Sequence, residues 1–188
     1  SAYLSTSKQI EETVKEMEYL EGVLQMLDNC STLQEINEVR QELAEEGYLS
    51  KRNKNSINKK DKPSNPHRFK SSDGFDILVG KNNRQNDLLT LKQASSWDIW
   101  LHTRNIPGSH VIIKSNRQSI PDSTLLEAAI IAAYHSKAKN SSNTPVDYTA
   151  VKNVKKPPGA KPGMVNYDNF KTIIVTPDEI IIKKLRID

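Results

Sequence analysis

Two loops of this chain bring together side chains that can bind an anion. The segment "GKNNRQND", Gly80 to Asp87, follows one apolar run, and "HTRNIPGSH", His102 to His110, follows another. Lysine and arginine contact phosphates, and amides can donate to phosphates and ribose hydroxyls or read base edges. Loops at strand ends can bring such side chains onto one ligand. The two loops therefore predict a site for RNA or another polyanion.

A third loop, "VKNVKKPPGAKPG" from Val151 to Gly163, adds further cations. Trp97, Trp100, His102 and Tyr148 could stack on bases, although at least one tryptophan is expected in the core. Each asparagine could instead serve as a turn or a helix cap. The predicted RNA-binding residues are Lys81, Asn82, Asn83, Arg84, Asn86, His102, Arg104, Asn105, Ser109, His110, Lys152, Lys155, Lys156 and Lys161.

No catalytic arrangement is apparent, so we expect no enzyme and no cofactor. Ser109 and His110 are sequence neighbours, which point to opposite faces of a strand. His102 and His110 have no carboxylate or cysteine at a spacing that suggests a metal site. Neither "VGKNN" nor "GAKPG" matches a nucleotide-binding P-loop. A weaker alternative is an enzyme that acts on nucleic acid with carboxylates from Asp73, Asp76 and Asp98.

Charge divides the chain into two parts. Residues 1–48 contain 3 Lys/Arg and 11 Asp/Glu, whereas residues 49–188 contain 24 and 12. This asymmetry predicts two units, of which the C-terminal one faces a polyanion. The alternative is that surface charge only keeps both units soluble. The single cysteine, Cys30, excludes an internal disulfide framework, and no apolar run is long enough to span a membrane.

The acidic part, residues 1–49, predicts an antiparallel helical hairpin. Tyr3, Ile10, Met17 and Leu24 lie seven residues apart, as in a coiled-coil seam to which Leu20 and Leu27 also belong. Ser31 or Thr32 could cap the second helix, with Gln34 or Glu35 completing a capping box, and Gly47 could end it. We expect this hairpin to be the end of a longer coiled coil and to offer a surface for self-association.

Residues 50–68 predict a basic, flexible linker, and residues 69–188 predict a compact α+β domain with a mostly antiparallel sheet. The expected strands include "FDILVG", "DIWLHTR", "HVIIKS" and "VDYTAVKNVKK". A short helix "LLTLKQAS", capped by Asn86 or Asp87, and a long, widely buried helix "STLLEAAIIAAYHSKAK" lie between them, the latter with a capping box from Thr124 to Glu127. "KTIIVT" and "EIIIKKL" are predicted as two strands separated by a turn.

Two long segments resemble the NFACT-R domain. They are "GKNNRQNDLLTLKQASSWDIWLHTRNIPGSHVII" and "VDYTAVKNVKKPPGAKPGMVNY", and the resemblance extends over about residues 69–188. The preceding hairpin looks like the end of the coiled coil before this domain. The chain thus looks like a C-terminal piece of a bacterial RqcH/NEMF-type protein, a family often named fibronectin-binding protein A. Gly108, Asp87 and Asn82 match the family motif but could be structural.

The resemblance implies a role in ribosome-associated quality control. Partners would be the large ribosomal subunit with its rRNA and peptidyl-tRNA, and alanyl-tRNA for untemplated C-terminal alanine tailing in the cytoplasm. Residues that select tRNA lie upstream in the family, so tRNA selectivity is not carried over to this piece. The alternative, which the family name implies, is a cell-surface adhesin that binds fibronectin, although "EIIIKKLRID" shows no LPxTG-type anchor.

Overall fold

The computed structural model describes residues 2–50 and 62–188, which contain five α-helices and eight β-strands. The predicted linker falls largely on residues 51–61, outside the described residues. The predicted α+β class is confirmed. The elements are α1 (Ala2–Asn29), α2 (Leu33–Glu45), β1 (His67–Lys70), β2 (Asp76–Val79), α3 (Asn83–Leu88), β3 (Ile99–Thr103), β4 (Val111–Ile113), α4 (Asp122–Tyr134), β5 (Thr144–Ala150), β6 (Val154–Lys155), β7 (Asn166–Tyr167), β8 (Lys171–Val175) and α5 (Glu179–Leu185).

Helices α1 and α2 form the predicted hairpin, and the start of α2 is fixed by side-chain caps. Thr32 Oγ1 accepts from the backbone N–H of Glu35 at 3.2 Å, and the Glu35 carboxylate accepts from the N–H of Ser31 at 2.7 Å. After α2 ends, Gly47 adopts a φ of +88°, which is accessible to glycine at little cost. The predicted cap and the predicted stop of this helix are therefore confirmed.

The predicted seam of α1 does not pack against α2, apart from Leu20, which is partly buried there. Tyr3, Ile10, Met17 and Leu24 are between 57% and 82% exposed, and Leu27 is also exposed. The buried stripe of α1 packs against Val39 of α2 and consists of Tyr19, Val23 and Met26. The sequence contains two apolar stripes, and a partner as short as α2 can cover only one of them. Self-association through the exposed stripe stays a prediction.

One six-stranded sheet carries the C-terminal domain, in the order β1-β2-β4-β3-β5-β8, with every neighbouring pair antiparallel. Side chains alternate across it. Leu101, Val111 and Ile113 face α4 and α5, whereas Trp100 and Ile112 face a smaller cluster on the other side. The short β6–β7 pair and a π-helical turn, Leu89–Gln93, that continues α3 cover this second side.

Helix α4 is buried on several sides, as predicted. Residues 128–133 are all at most 7% exposed, because the helix lies between the sheet and α5. Its predicted capping box is wrong: the N-cap position is Pro121, and Thr124 Oγ1 donates to Asp73 Oδ2 at 2.7 Å and lies 2.9 Å from Ser71 Oγ. Glu127 instead accepts from the backbone N–H of Ser72. Both side chains thus connect α4 to the β1–β2 turn.

One element type and two element boundaries also differ from the prediction. "EIIIKKL" forms α5 and not a strand, because Asp178 caps it and the buried Ile182 and Leu185 lie three residues apart on one helix face. Helix α3 begins earlier than expected, with Asn82 as its N-cap. Strand β1 begins at His67, before the boundary placed at Phe69.

Candidate nucleic-acid interface

The "GKNNR" loop after β2 is held by its own side chains. Asn82 Oδ1 accepts from the backbone N–H of Gln85 at 2.8 Å, which caps α3. In return, Gln85 Oε1 accepts from the N–H of Lys81 at 3.0 Å. These reciprocal bonds satisfy backbone donors that a helix start leaves unpaired. The loop backbone is therefore held in one conformation, and the loop side chains contact one neighbouring element.

That neighbour is the acidic face of α2. Four α2 glutamates at spacings of three and four residues lie on one helix face, and four successive loop residues contact them in order. The contacts are Lys81 Nζ to Glu35 Oε1 at 2.9 Å, Asn82 Nδ2 to Glu38 Oε2 at 2.8 Å, Asn83 Nδ2 to Glu42 Oε1 at 3.1 Å, and Arg84 to Glu45. The acidic hairpin therefore complements the basic domain within one chain. We call these four contacts the hairpin latch.

The centre of the hairpin latch is buried. Glu35 and Glu42 are 4% and 1% exposed, and Tyr19 donates its hydroxyl to Glu42 Oε1 at 2.8 Å. Burial raises the pKa of Glu42, because the hydrogen bonds from Asn83 and Tyr19 do not compensate fully for lost hydration. Burial also acts to raise the pKa of Glu35, but Ser31 and the Lys81 ammonium outweigh it and lower that pKa. The latch is thus a desolvated polar interface.

The third basic loop reaches the same hairpin. Lys161 pairs with Glu46 at 3.0 Å, and its ammonium lies 5.6 Å and 5.2 Å from the ring centres of Tyr19 and Tyr48. The hydrogen bond to Glu46 raises the pKa of Lys161. Lys156 pairs with Asp87 at 2.9 Å and donates to the carbonyl of Lys161 at 2.7 Å. Both lysines therefore have internal acidic partners.

The "IPGSH" segment is held inside the domain by its own His110 and by His102 of β3, which bonds to the Gly108 carbonyl. His110 Nε2 lies 3.1 Å from the carbonyl oxygen of Gly163 and Nδ1 lies 2.8 Å from Thr90 Oγ1, an arrangement that suits a neutral ring donating from Nε2. Burial lowers the pKa of His110 to about 3. His102 stacks on Trp100 with ring centres 5.7 Å apart, and burial lowers its pKa as well.

Several of the predicted RNA-binding side chains are buried. The amide oxygen of Asn86 accepts from the backbone N–H of His110 at 3.1 Å, so the two motif loops are joined directly. Contact with RNA stays a prediction for this group, and it would require the side chains to leave their present positions. At most 6% of each residue is exposed in the group Asn82, Asn83, Asn86, Ser109 and His110.

Arg104 and Asn105 directly follow the C-terminal end of β3. Arg104 pairs with Asp147 at 3.0 Å, donates to Thr172 Oγ1 at 2.7 Å and lies over the Phe170 ring at 5.2 Å. Its side chain is 40% exposed, so one side can still meet a ligand. Asn105 is exposed in a turn with a φ of +53°. None of these contacts of Arg104 involves a residue of the hairpin latch.

Lys152 and Lys155 are exposed and have no carboxylate partner among the residues that the structure describes. Lys152 Nζ lies 5.2 Å from the ring centre of Trp97, which is 53% exposed at the start of β3. Trp97 and Arg117 both line an open concavity of about 380 Å³, together with Ser115 and Gln118. We call Trp97, Arg117 and Lys152 the Trp97 surface.

The predicted binding residues do not include Arg117, and Trp97 was named only as one of four side chains that could stack on bases. The signal for Arg117 was the polar segment "KSNRQS" after β4, which breaks the alternation of the strand. Trp97 could not be assigned because an exposed and a buried tryptophan look alike in sequence. Trp100 is the core tryptophan that was expected, at 1% exposure.

Each of the three aspartates considered for nucleic-acid hydrolysis has its own hydrogen-bond or ion-pair partner. Asp73 accepts from Ser123 and Thr124, Asp76 pairs with Lys70, and Asp98 pairs with Lys114.

Among the described helices, none is both long and apolar enough to cross a membrane.

Comparison with known proteins shows which family the chain resembles. Residues 65–169 match the model described as the NFACT protein RNA binding domain, and residues 1–62 match that of the NFACT N-terminal and middle domains. Relatives named Rqc2 homolog RqcH are 49% identical in Bacillus subtilis and 47% identical in Streptococcus suis. Each alignment covers 95% of this chain but only 31% and 32% of the relative, respectively.

Two more distant comparisons agree with that result. A fission yeast protein, ribosome quality control complex subunit 2, is 37% identical over 78 residues, which is 40% of this chain and 8% of that protein. The solved C-terminal part of the fibronectin/fibrinogen-binding protein from Streptococcus suis has a TM-score of 0.91 at 44% identity and covers 99% of this chain and 73% of that one. The chain, which spans about a third of the length of its bacterial relatives, therefore belongs to the NFACT family and contains the NFACT RNA binding domain of RqcH/Rqc2-type ribosome quality control homologues.

Proposed function

We propose that this chain is the part of a cytoplasmic ribosome quality control factor that contacts RNA on a stalled large ribosomal subunit. The whole protein would bind the subunit with its peptidyl-tRNA and support alanine tailing with alanyl-tRNA. The chain's part in this is positioning rather than chemistry. The match to an RNA binding domain and the names of the relatives support the ribosomal setting.

The observation that carries the proposal is the location of the exposed cations without acidic partners. Lys81, Arg84 and Lys161 are engaged by the hairpin, whereas Arg117, Lys152 and Lys155 are exposed and have no carboxylate partner within the described residues. Ligand phosphates can pair with the second group without breaking an internal ion pair. We therefore propose that the RNA-facing side carries the Trp97 surface, because Arg117 and Lys152 lie there beside an exposed tryptophan.

Binding to purified large ribosomal subunits, and to tRNA, tests the proposal. The 188-residue chain should cosediment with subunits in low salt and should dissociate as salt rises, because phosphate contacts release counterions. Lys152→Ala combined with Lys155→Ala should weaken binding and reduce the salt slope by about two. The matched control is Lys137→Ala combined with Lys184→Ala, which removes two exposed lysines elsewhere. Absence of binding by well-folded chain at low salt would refute the proposal.

Fibronectin binding is the second candidate, favoured by one observation. The Streptococcus suis protein that shares this fold is called a fibronectin/fibrinogen-binding protein. A basic domain also adsorbs acidic proteins without dedicated recognition. Surface plasmon resonance with immobilised fibronectin separates the two cases: saturable binding that persists in 150 mM salt (about physiological ionic strength) supports recognition, and loss in modest salt indicates adsorption.

A further inference from the structure

We infer that the Trp97 surface is a binding site for a single unpaired RNA nucleotide, with its base stacked on Trp97 and its phosphates near Arg117 and Lys152. This inference rests on the proposed function and deepens it, because it identifies the ligand chemistry and the residues of one subsite. It is carried by four features of the described residues: the ring, its support, the Arg117 backbone and the local charge.

The Trp97 ring offers an aromatic surface that the fold leaves accessible. It is 53% exposed, Lys152 Nζ lies 5.2 Å from its centre, and Arg117 lines the same concavity. Bases stack on exposed aromatic side chains irrespective of sequence, and lysine or arginine beside the ring attracts the backbone. The concavity of about 380 Å³ beside the ring is open to solvent, so a base could reach the ring without a rearrangement of the fold.

The ring is supported by a buried carboxylate. Asp98, 1% exposed, accepts from the backbone N–H groups of Ser95 and Ser115, each at 2.8 Å, and pairs with Lys114. Ser115 Oγ also donates to the Trp97 carbonyl at 3.1 Å. Asp98 and the Trp97 carbonyl are thus joined to the end of β4, so the backbone that carries the ring is held in place before a base binds, which lowers the ordering cost.

Arg117 is presented by an uncommon backbone conformation. Asn116 and Arg117 have φ values of +50° and +63°, and two successive residues other than glycine in this region carry a conformational cost. The turn is closed by Arg117 N–H donating to Ser115 Oγ at 3.3 Å and by Gln118 N–H donating to the Ser115 carbonyl at 2.8 Å. It brings the Arg117 side chain to the concavity beside Trp97.

Charge distinguishes this place from the other sites where a cation meets a ring. Lys161 and Arg104 lie over aromatic rings but are paired with Glu46 and Asp147. Lys139 lies over Tyr134 at 4.3 Å, but an exposed carboxylate, that of Glu179, lines the same concavity and pairs with Lys183 at 3.0 Å. At the Trp97 surface, the neighbouring residue Asp98 is buried and already paired with Lys114.

Fluorescence anisotropy with a labelled 12-nucleotide single-stranded RNA of mixed sequence tests the site. Trp97→Ala should weaken binding by about 5- to 150-fold, the range that loss of one base–aromatic stack produces. Trp97→Phe keeps a ring and should retain most of the affinity. Arg117→Ala and Lys152→Ala should each weaken binding and flatten its salt dependence, whereas Lys137→Ala, at the opposite end of the sheet, should leave affinity within about twofold. Thermal unfolding confirms that each variant is folded.

Tryptophan emission gives a second readout that a purely electrostatic role would not change. The chain has two tryptophans, and Trp100 is 1% exposed, so a stacked base should quench Trp97 alone. RNA should therefore quench the wild-type chain but not Trp97→Phe. Duplex RNA of the same length, whose bases are already stacked, should quench much less.

The outcomes separate this inference from the proposed function. Wild-type binding that is unchanged in Trp97→Ala overturns the Trp97 site and leaves the RNA-binding function standing. Equal binding and quenching by polyglutamate also overturn it, because the surface would then be a general anion or protein contact. If the folded wild-type chain binds no RNA in low salt, the site and the proposed function both fail.

Discussion

Asn83 donates its side-chain amide to the buried carboxylate of Glu42, 41 residues earlier in the chain, at 3.1 Å. The same carboxylate oxygen accepts the Tyr19 hydroxyl, so one atom connects α1, α2 and the start of α3. An amide that the sequence suggested for RNA is thereby part of the hairpin latch. The amide-rich loop has an internal reason for its composition, which is recognition of the acidic helix.

Glu42→Gln should increase the free energy of unfolding at pH 7 by about 1 kcal/mol. Burial raises the Glu42 pKa, so the folded carboxyl binds more protons than the unfolded one above the ordinary value near 4.3. The stabilisation that protonated Glu42 gives the folded chain is therefore complete below the unfolded pKa and is lost as pH rises through the folded pKa. Glutamine keeps an oxygen acceptor without the charge. Urea unfolding from pH 4 to 8 measures this, and a flatter profile than wild type is expected.

Glu42→Ala is the control for that result, because it leaves Asn83 and Tyr19 without their acceptor. It should destabilise by about 2 kcal/mol. A glutamine variant as unstable as the alanine variant would contradict a raised Glu42 pKa as the main effect.

Lys81→Ala should destabilise the chain by about 3 kcal/mol, because it leaves Glu35, 4% exposed, without its cation. The paired variant with Glu35→Gln should recover part of this loss, since neither charge then remains buried alone. A double-mutant cycle by urea unfolding measures the coupling. Lys137→Ala, an exposed lysine without a described carboxylate partner, should change stability by less than about 0.5 kcal/mol. Additive effects of the two latch variants would refute the latch.

Gly163→Ala should destabilise more than Gly159→Ala. Both glycines have positive φ values, +79° and +74°, so both substitutions carry the same backbone cost. A Cβ at Gly163 would lie 2.6 Å from Asn83 Oδ1, whereas nothing lies within 4 Å at Gly159. The difference in unfolding free energy, expected to be about 1–3 kcal/mol, isolates the contact between the third basic loop and the latch. Equal effects would mean that Asn83 moves away freely.

Stability should decrease as the pH is lowered from about 6.5. Burial lowers the pKa values of His110 to about 3 and His135 to about 4, so the unfolded chain binds protons first. The stability that these neutral imidazoles contribute is complete above the unfolded pKa near 6.5 and is lost as pH falls through the folded pKa values. Nuclear magnetic resonance should show both rings still neutral at pH 5.5. Titration of His110 near 6.5 in the folded chain would contradict its burial between Thr90 and Gly163.

Part of the fold could be read from local patterns. The cap at Thr32, the stop at Gly47, the strands around Trp100 and the buried α4 each follow from residues close together in sequence. The "EIIIKKL" segment could not be read this way, because a short apolar run suits a strand and a buried helix alike. Its helical form depends on Asp178 and on the groove beside α4 that accepts Ile182 and Leu185.

The site shows the same division. The sequence by itself determined that three loops carry cations and amides, that the charges of the two parts oppose each other, and which family motif the chain contains. Tertiary structure decided which cations are engaged by α2 and which are left around Trp97, because ion pairs such as Lys81 with Glu35 join residues far apart in the chain. Residue type sets what a side chain can bind, whereas its burial and its neighbours, which only folding defines, set what it does bind.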